Sequence, residues 1–476
     1  MQYDKKQKGE DKESMLRLLR ERFQRSIDHD RLNRDDAVED LEFLTGEQWT
    51  KEATAQRANR PCLTVNKLPA FLDQLIGDQR QNRPSIRVMP VDDKGDKEIA
   101  NTYEGLIRNI ETTSDAETAY DTAFEAAAAC GYGALRIVTE YSDDDMFDQE
   151  VRIKVIHDAF SVYYDPQAKE YDRQDGQFVF VTEKILRSEF EERFPGKRAV
   201  DIDFRDRDTN FYDGWSTEDT VTIAEYWCKK PVKRTIYLMS DGSVTDDPEN
   251  EVWAANGIEK VDERKVDSFK IVQYLTSGVD ILEEPTEWPS KFFPIIPVWG
   301  KEVNILGKRH IRGLVRFAKD PQRMYNYSRS AAIEAVALVP KSPYMATPRQ
   351  IDGHEHQWNH AHEDTRPYLL YNVDPQAPGR PQREPSPQIQ SAHIQEMQIS
   401  SEELKATTGL YNAALGQPGR AKSGVAIRAE QQEGDVSTFV YIDNLARSIR
   451  CIGRQLVDLI PKIYSERKVV RVLGQD

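Results

Sequence analysis

Residues Ala414–Asp435 read ALGQPGRAKSGVAIRAEQQEGD, and within them Gly416 stands six positions ahead of Lys422, with Ser423 next. Such a loop cradles phosphate when it reads G-x-x-x-x-G-K-[ST], because its backbone N–H groups converge on the anion and its lysine reaches the outer phosphates. That chemistry needs a glycine just before the lysine and a buried strand leading into the loop. Here Ala421 fills the glycine position, and the preceding EELKATTGLYNAAL reads as helix and turn. No apolar run ending in aspartate follows to hold Mg²⁺. The nucleotide-motor reading fails. What remains is a Gly/Pro loop of Gln417, Pro418, Gly419, Arg420, Lys422 and Ser423 between helical segments. Its two cations would touch a phosphate backbone loosely in one copy, and strongly in a ring of copies around a channel.

A second constellation is HEHQWNHAHED, where His354, His356, His360 and His362 gather four of the chain's 8 histidines. His356 and His360, four apart on a helix, could share a metal, with Glu355, Glu363 and Asp364 to complete the set. Trp358 occupies the place where H-E-x-x-H needs its second histidine. The same residues suit a hydrated, polar interface loop equally well. No G-x-S-x-G elbow occurs, no cysteine with a placed histidine, and no carboxylate pair that the sequence localises. The expectation is a non-enzymatic protein with no catalytic residue, no cofactor and no assigned metal.

The elements around these segments follow from composition. The chain has 476 residues with 38% hydrophobic and 31% charged, which suits an elongated or assembled protein better than one compact globule. Its net charge of −16 argues against a protein that grips nucleic acid, since such binders cluster Lys and Arg. Cys62, Cys130, Cys228 and Cys451 lie far apart without C-x-x-C spacing, as in a reducing compartment. The opening MQYDKKQKGEDKES lacks a secretory core, and no apolar run is long enough to span a membrane. The reading is a soluble protein.

Residues 1–12 are expected to fray, and a helix to begin at Ser14, with Met15, Leu18, Leu19 and Phe23 on its apolar face and interleaved Arg and Glu on a solvated one. A turn at Gly46 ends it. Further helices are expected over about 69–77, 96–110 and 116–129, the last alanine-rich for close approach and stopped by Gly131 and Gly133. ALRIVTEY, EVRIKVIH, FVFVTEKI, TVTIAEYW, RTIYLMSDG and SFKIVQYLTSG then read as strands of an antiparallel-leaning α+β region over 134–300. After FFPIIPVWG, Asp320 is expected to cap a Ser/Ala-lined helix with Pro321 at its first position, stopped by Pro340 and Pro343. Ser386 and Pro387 open a second such helix, ended by Gly409. A long helix follows with a seam of Leu445, Ile449, Ile452, Leu456, Leu459 and Ile463, and with Gly434, Gly453 and Pro461 as places to bend. The closing KVVRVLGQD is a strand without a partner, and the natural chain is expected to continue past Asp476.

In order and spacing, FLTGEQW, RPCLTVNKLPAFLDQLIGDQRQNRPSIRVMPVD, CGYGALRIVTEY, YYDPQAKEYDRQDGQFVFV, FPIIPVWG, KDPQRMYNYSRS and ALGQPGRAKSGVAIRAEQQ resemble the portal (head-to-tail connector) proteins of tailed bacteriophages, podovirus-type group. The resemblance implies an α+β, portal-like fold and a ring of about twelve copies at one capsid vertex. The wing would be residues 1–306, helical to about 133 and strand-rich over 134–300. The stem would be residues 307–339 and 386–408, flanking a small α/β clip over 340–385. A tunnel loop (409–424), a long kinked helix toward the crown (425–467) and a C-terminal strand (468–476) would follow. The tunnel loop residues would face double-stranded DNA without reading its sequence. His354, His356, Trp358, His360, His362 and Glu363 would fall where the terminase large subunit and later the head-tail adaptor or tail proteins dock. Asp320, Arg323, Ser328, Ala331, Ala332 and Ala335 would pack copies in the stem. Major capsid and scaffolding proteins are further implied partners, with assembly in the host cytoplasm and residence in the virion, away from any membrane. Two rivals stay open: another ring-forming virion adaptor, and a metal-dependent nucleic-acid-processing enzyme built on His354–His362.

Overall fold

The computed structural model describes residues 2–90, 97–142, 145, 147–200, 215–240, 242, 244–245, 259–338, 342–363, 365, 367–384, 391–410 and 424–464, with side chains from residue 12 and, in the last two helices, from 392 and 438. The chain opens on helices α1 (Gln2–Thr45), α2 (Lys51–Gln56), α3 (Leu68–Gln81), α4 (Lys97–Thr113) and α5 (Ala116–Cys130). α1 begins well before Ser14, because Lys, Gln and Glu, good helix formers, dominate its first turns. Gly46, at φ 119°, ends it in a conformation that glycine adopts freely.

The middle of the chain alternates strands with short helices: β1 (Tyr132–Tyr141), β2 (Gln149–Val155), β3 (Val162–Tyr164), β4 (Phe178–Leu186), α6 (Arg187–Arg193), β5 (Thr220–Met239), β6 (Val244–Thr245), β7 (Lys260–Thr276), β8 (Thr286–Trp288) and β9 (Ile295–Trp299). A hairpin of β10 (Lys301–Ile305) and β11 (Lys308–Arg312) leads to α7 (Lys319–Leu338). Then come β12 (Tyr344–Met345), α8 (Pro348–Ile351), α9 (Glu355–Asn359), β13 (Gln382–Arg383), α10 (Ser391–Thr408) and α11 (Gly424–Ile463). The fold is α+β, and every strand pairing among the described residues is antiparallel.

The chain forms two compact units, one of Met1–Asp40, Gln74–Leu314 and Thr438–Asp476, the other of Leu41–Asp73 and Val315–Ser437. The first holds a three-stranded sheet, β2-β1-β9, and a six-stranded one, β3-β4-β5-β7-β8 with β6 on β5. Leu19 and Phe23 of α1 pack into Tyr163, Phe178, Phe180 and Tyr226 of the larger sheet, with Trp215 edge-on to Phe23 at 5.1 Å. Leu18, expected on that apolar face, is 39% exposed. The arginines of α1 are not all solvated. Arg22 donates to the Tyr226 hydroxyl at 2.6 Å and Arg20 to the Gly278 carbonyl at 2.7 Å.

Two expected strands, TVTIAEYW and RTIYLMSDG, prove to be one 20-residue strand, β5. Pro231 lies inside it, opposite Phe269 of β7. β4 pairs only with residues 220–228 of β5, so the proline sits where the strand's other edge has no ladder to lose. The seam of α11 is buried at Leu445, Ile449, Ile452, Leu456 and Leu459, while Ile463 is half-buried. Between seam positions, Asn444 donates to the Gly300 carbonyl at 2.6 Å and Ser448 to that of Pro297 at 2.6 Å, tying the helix to β9 and the residue after it. The helix runs unbroken through Gly453 and Pro461. The strand expected over 468–476 lies outside the described residues.

Candidate functional site

The segments singled out by sequence lie mostly in the second unit. α7 starts at Lys319, straight after a 3-10 turn at Arg316–Ala318. Asp320 therefore does not cap the helix; it sits exposed in the first turn, 3.5 Å from Arg323, with Pro321 beside it. The preceding turn already supplies helical backbone, which removes the need for a capping side chain. Arg323 lies over the Phe43 ring at 5.1 Å.

The buried side of α7 does something the sequence reading missed. Gln322, Asn326 and Ser330, each four apart, accept the backbone N–H groups of Lys67, Val65 and Leu63 at 3.3, 3.0 and 2.9 Å. Four helical residues rise about 6 Å. Two extended residues advance about 6.6 Å. The registers nearly coincide, so an extended strip docks on a helix as if on a sheet edge. Gln322 returns a bond to the Val65 carbonyl at 2.7 Å, and Asn326 reaches Gln48 Oε1 at 2.6 Å. The one trace of this docking in the sequence is a polar residue at every fourth position of the helix; the CLTVNK strip it holds lies more than 250 positions earlier.

α10 runs beside α7. It is described from Ser391, so Ser386 and Pro387 lie outside the described residues; it ends at Gly409, φ 78°, whose N–H reaches the Lys405 carbonyl at 2.8 Å. Ser328 and Ala332, expected to meet a neighbouring copy, are buried within the unit, 4% and 7% exposed. Ala331 and Ala335 are half-buried. The outward side of α7 carries exposed Met324, Tyr327, Val336 and Leu338, and α10 carries exposed Ile394 and Ile399.

Between these helices lies a small folded insert. β12 and β13 pair Tyr344 with Arg383 and Met345 with Gln382. Thr347 and Gln350 close a reciprocal capping box on α8, and Asp374 accepts the Thr347 hydroxyl at 2.8 Å. Gln350 also donates to the Gly379 carbonyl at 2.8 Å. The Gln376 backbone N–H first, then the Thr347 hydroxyl, holds the Asp374 carboxyl below its usual range. Trp358 meets Tyr344 edge-on at 5.3 Å and donates to the Leu370 carbonyl at 2.8 Å, so it is a structural pin of the insert.

The histidines sit on its surface. His354 precedes α9 without capping it, and His362 stands 3.3 Å from Glu363. The His356 and His360 rings stack at 4.5 Å, and His360 Nδ1 lies 2.9 Å from the His356 carbonyl oxygen. Face-to-face rings do not turn nitrogens toward a common point. Among the described residues no three His, Cys, Asp or Glu side chains group as a metal site. Asp364 lies outside the described residues. So do Gln417, Pro418, Gly419, Arg420, Lys422 and Ser423, with the helix resuming at Gly424.

The chain is 25% identical over 438 residues to the portal protein of Acyrthosiphon pisum secondary endosymbiont phage 1, an alignment covering 87% of this chain and 60% of that one. The chain thus spans less than two thirds of that relative's length. Residues 20–476 match the phage P22-like portal protein family. Over that span, from the helix that packs on the larger sheet to the end of the chain, this protein belongs to the phage P22-like portal protein family.

Proposed function

We propose that the chain is the protomer of a closed ring at one capsid vertex, of about twelve copies by analogy with the family, through which double-stranded DNA enters and leaves. The observation that carries this reading is the pair of helices α7 and α10, side by side and joined through a separately folded insert, in a chain of the portal family. Such a pair can line a channel while the insert projects toward other proteins. A conduit must not grip its cargo, and a body of net charge −16 meets that demand. Ser328 and Ala332 stabilise the protomer itself, so packing between copies falls to Asp320, Arg323, Ala331 and Ala335, with exposed Met324 and Tyr327 around them.

Arg420 and Lys422 are the cations assigned to the channel. Replacing both with alanine is expected to leave ring formation intact and to lower the yield of DNA-filled heads roughly tenfold, since every copy loses two phosphate contacts at once. Wild-type packaging and retention would remove the loop from the DNA path.

The insert is assigned to docking of the terminase large subunit and, after packaging, of head-tail adaptor or tail proteins. Glu363, exposed beside His362, is the probe. Glu363→Lys should weaken terminase capture about tenfold in a pull-down, by placing like charge or removing a partner at the contact, with rings unchanged. Equal capture would move that interface elsewhere. Major capsid and scaffolding proteins complete the vertex and make the protein a virion component.

A further inference from the structure

The β10–β11 hairpin of the first unit takes no part in the arrangement above, and its pattern is inverted. Residues directly opposite in an antiparallel pair share a face, and the faces alternate along each strand. One face therefore holds Glu302, Asn304, Arg309 and Ile311, the other Val303, Ile305, Lys308 and His310. The face richer in polar groups is the one turned to the body. Glu302 pairs with the buried Arg173 at 2.9 Å, and Ile311 is 1% exposed. Asn33 of α1 holds both the Arg309 carbonyl, at 2.7 Å, and the Ile311 N–H, at 3.2 Å. The apolar residues face water instead: Val303 is 47% exposed and Ile305 53%. A hairpin that served only the fold would bury those two and expose its charges.

The tip repeats this choice. Leu306 and Gly307 form the two-residue loop, both at positive φ, 52° and 82°. Such a turn favours asparagine, aspartate or glycine, because a branched or bulky side chain is costly in that conformation. Leucine brings the turn nothing, and here its side chain is fully exposed. Asn304 Oδ1 accepts the Gly307 N–H at 2.9 Å and steadies the loop. The result is a finger, anchored at its root, that presents Val303, Ile305 and Leu306 together. Apolar groups gathered in this way mark contact with another macromolecule. Charge selects which one. The hairpin carries four cations, Lys301, Lys308, Arg309 and Arg312, against Glu302 alone, in a chain of net charge −16. An acidic protein surface suits it, and copies of this chain supply one. Protomers of a ring meet head to tail, so each can give its finger to one neighbour and receive another's.

We propose that the β10–β11 finger docks on an acidic surface of a second copy of this chain, burying Val303, Ile305 and Leu306 with Lys308 at the rim. This rests on the ring reading above, and the test separates the two. Sedimentation of the full chain against concentration measures assembly, and thermal unfolding measures the protomer. Leu306→Asn is expected to match or raise the protomer's unfolding midpoint, since asparagine tolerates the turn. The same change should raise the concentration for half-assembly about tenfold or more, through loss of one buried leucine per contact. A leucine that served only the protomer would lower the midpoint and leave assembly alone. Benzoylphenylalanine in place of Leu306, photolysed in rings mixed from unlabelled and isotope-labelled chains, should join labelled to unlabelled copies. Unchanged assembly of Leu306→Asn, or crosslinks confined to single chains, would overturn the finger while the ring reading stands. Crosslinks made only to capsid or scaffolding protein in co-expressed heads would overturn it in favour of that partner. A parent chain that is monomeric at every concentration would overturn both.

Discussion

Gly313→Ala is expected to destabilise the first unit by about 3 kcal/mol or more, the upper end of overpacking by a single methyl group. A Cβ at Gly313 would lie 2.0 Å from the Ala129 carbonyl oxygen, 2.3 Å from its carbon and 2.6 Å from the Cys130 nitrogen. All three are backbone atoms at the end of α5, so no side chain can swing aside. The neighbouring Leu314 N–H bonds the Ala128 carbonyl at 2.7 Å, which fixes the chain against that helix end. Gly133 and Gly300 make comparable approaches, 2.2 Å from the Ala123 oxygen and 2.4 Å from the Arg312 oxygen. Thermal unfolding should show the first transition of Gly313→Ala roughly 6–12 °C lower, at about 2–4 °C per kcal/mol. Gly77→Ala is the control. It lies inside α3 with nothing within 4 Å of the added methyl, so it should raise stability by about 1 kcal/mol through helix propensity. Equal midpoints for the two variants would mean that α5 does not meet the chain so closely.

Arg34→Met should destabilise the same unit by about 3–5 kcal/mol, the usual result of stripping one partner from a buried ion pair. The guanidinium pairs with Asp30 at 3.1 Å, donates to the Phe160 and Val162 carbonyls, and lies 4.0 Å over the Tyr163 ring. Tyr132 completes the cluster by donating to Asp30 at 2.9 Å. Burial first, then the Asp30 carboxylate, push the Tyr132 phenol well above its usual range, which keeps it a neutral donor. Methionine fills the arginine's stem but leaves the Asp30 carboxylate without its cation, held only by neutral donors of Tyr132 and Asn33, and two carbonyls without the guanidinium. Adding Asp30→Asn to Arg34→Met should recover 1 kcal/mol or more, about the coupling found between contacting residues. Strict additivity of the two changes would show that Asp30 does not depend on Arg34 for its charge.

Much of this was legible in the sequence, and what was not has physical causes. Helix ends set by glycine, at Gly46, Gly131 and Gly409, could be read because positive φ is a local demand. The seam of α11 could be read because its period is long and regular. Asp320 was misread as a cap because a cap signal says nothing of a 3-10 turn upstream. TVTIAEYW and RTIYLMSDG read as two strands although Pro231 between them lies inside one, because sequence does not tell which edge of a strand is paired. Ser328 and Ala332 are buried within the protomer, and a small residue on a helix looks the same in sequence whether it packs within a protomer or between protomers. The Gln322–Asn326–Ser330 ladder depends on residues more than 250 positions away, beyond any local pattern.

Electron microscopy of the purified full chain, counting symmetry in end-on views, decides whether copies of this chain close into a ring around a channel. Closed rings are expected, about twelve-fold by family analogy, with an open centre, α7 and α10 lining it, and the 342–384 insert at one end. A monomer at every concentration, or a ring whose channel is lined by the strand-rich unit instead of α7 and α10, would contradict it.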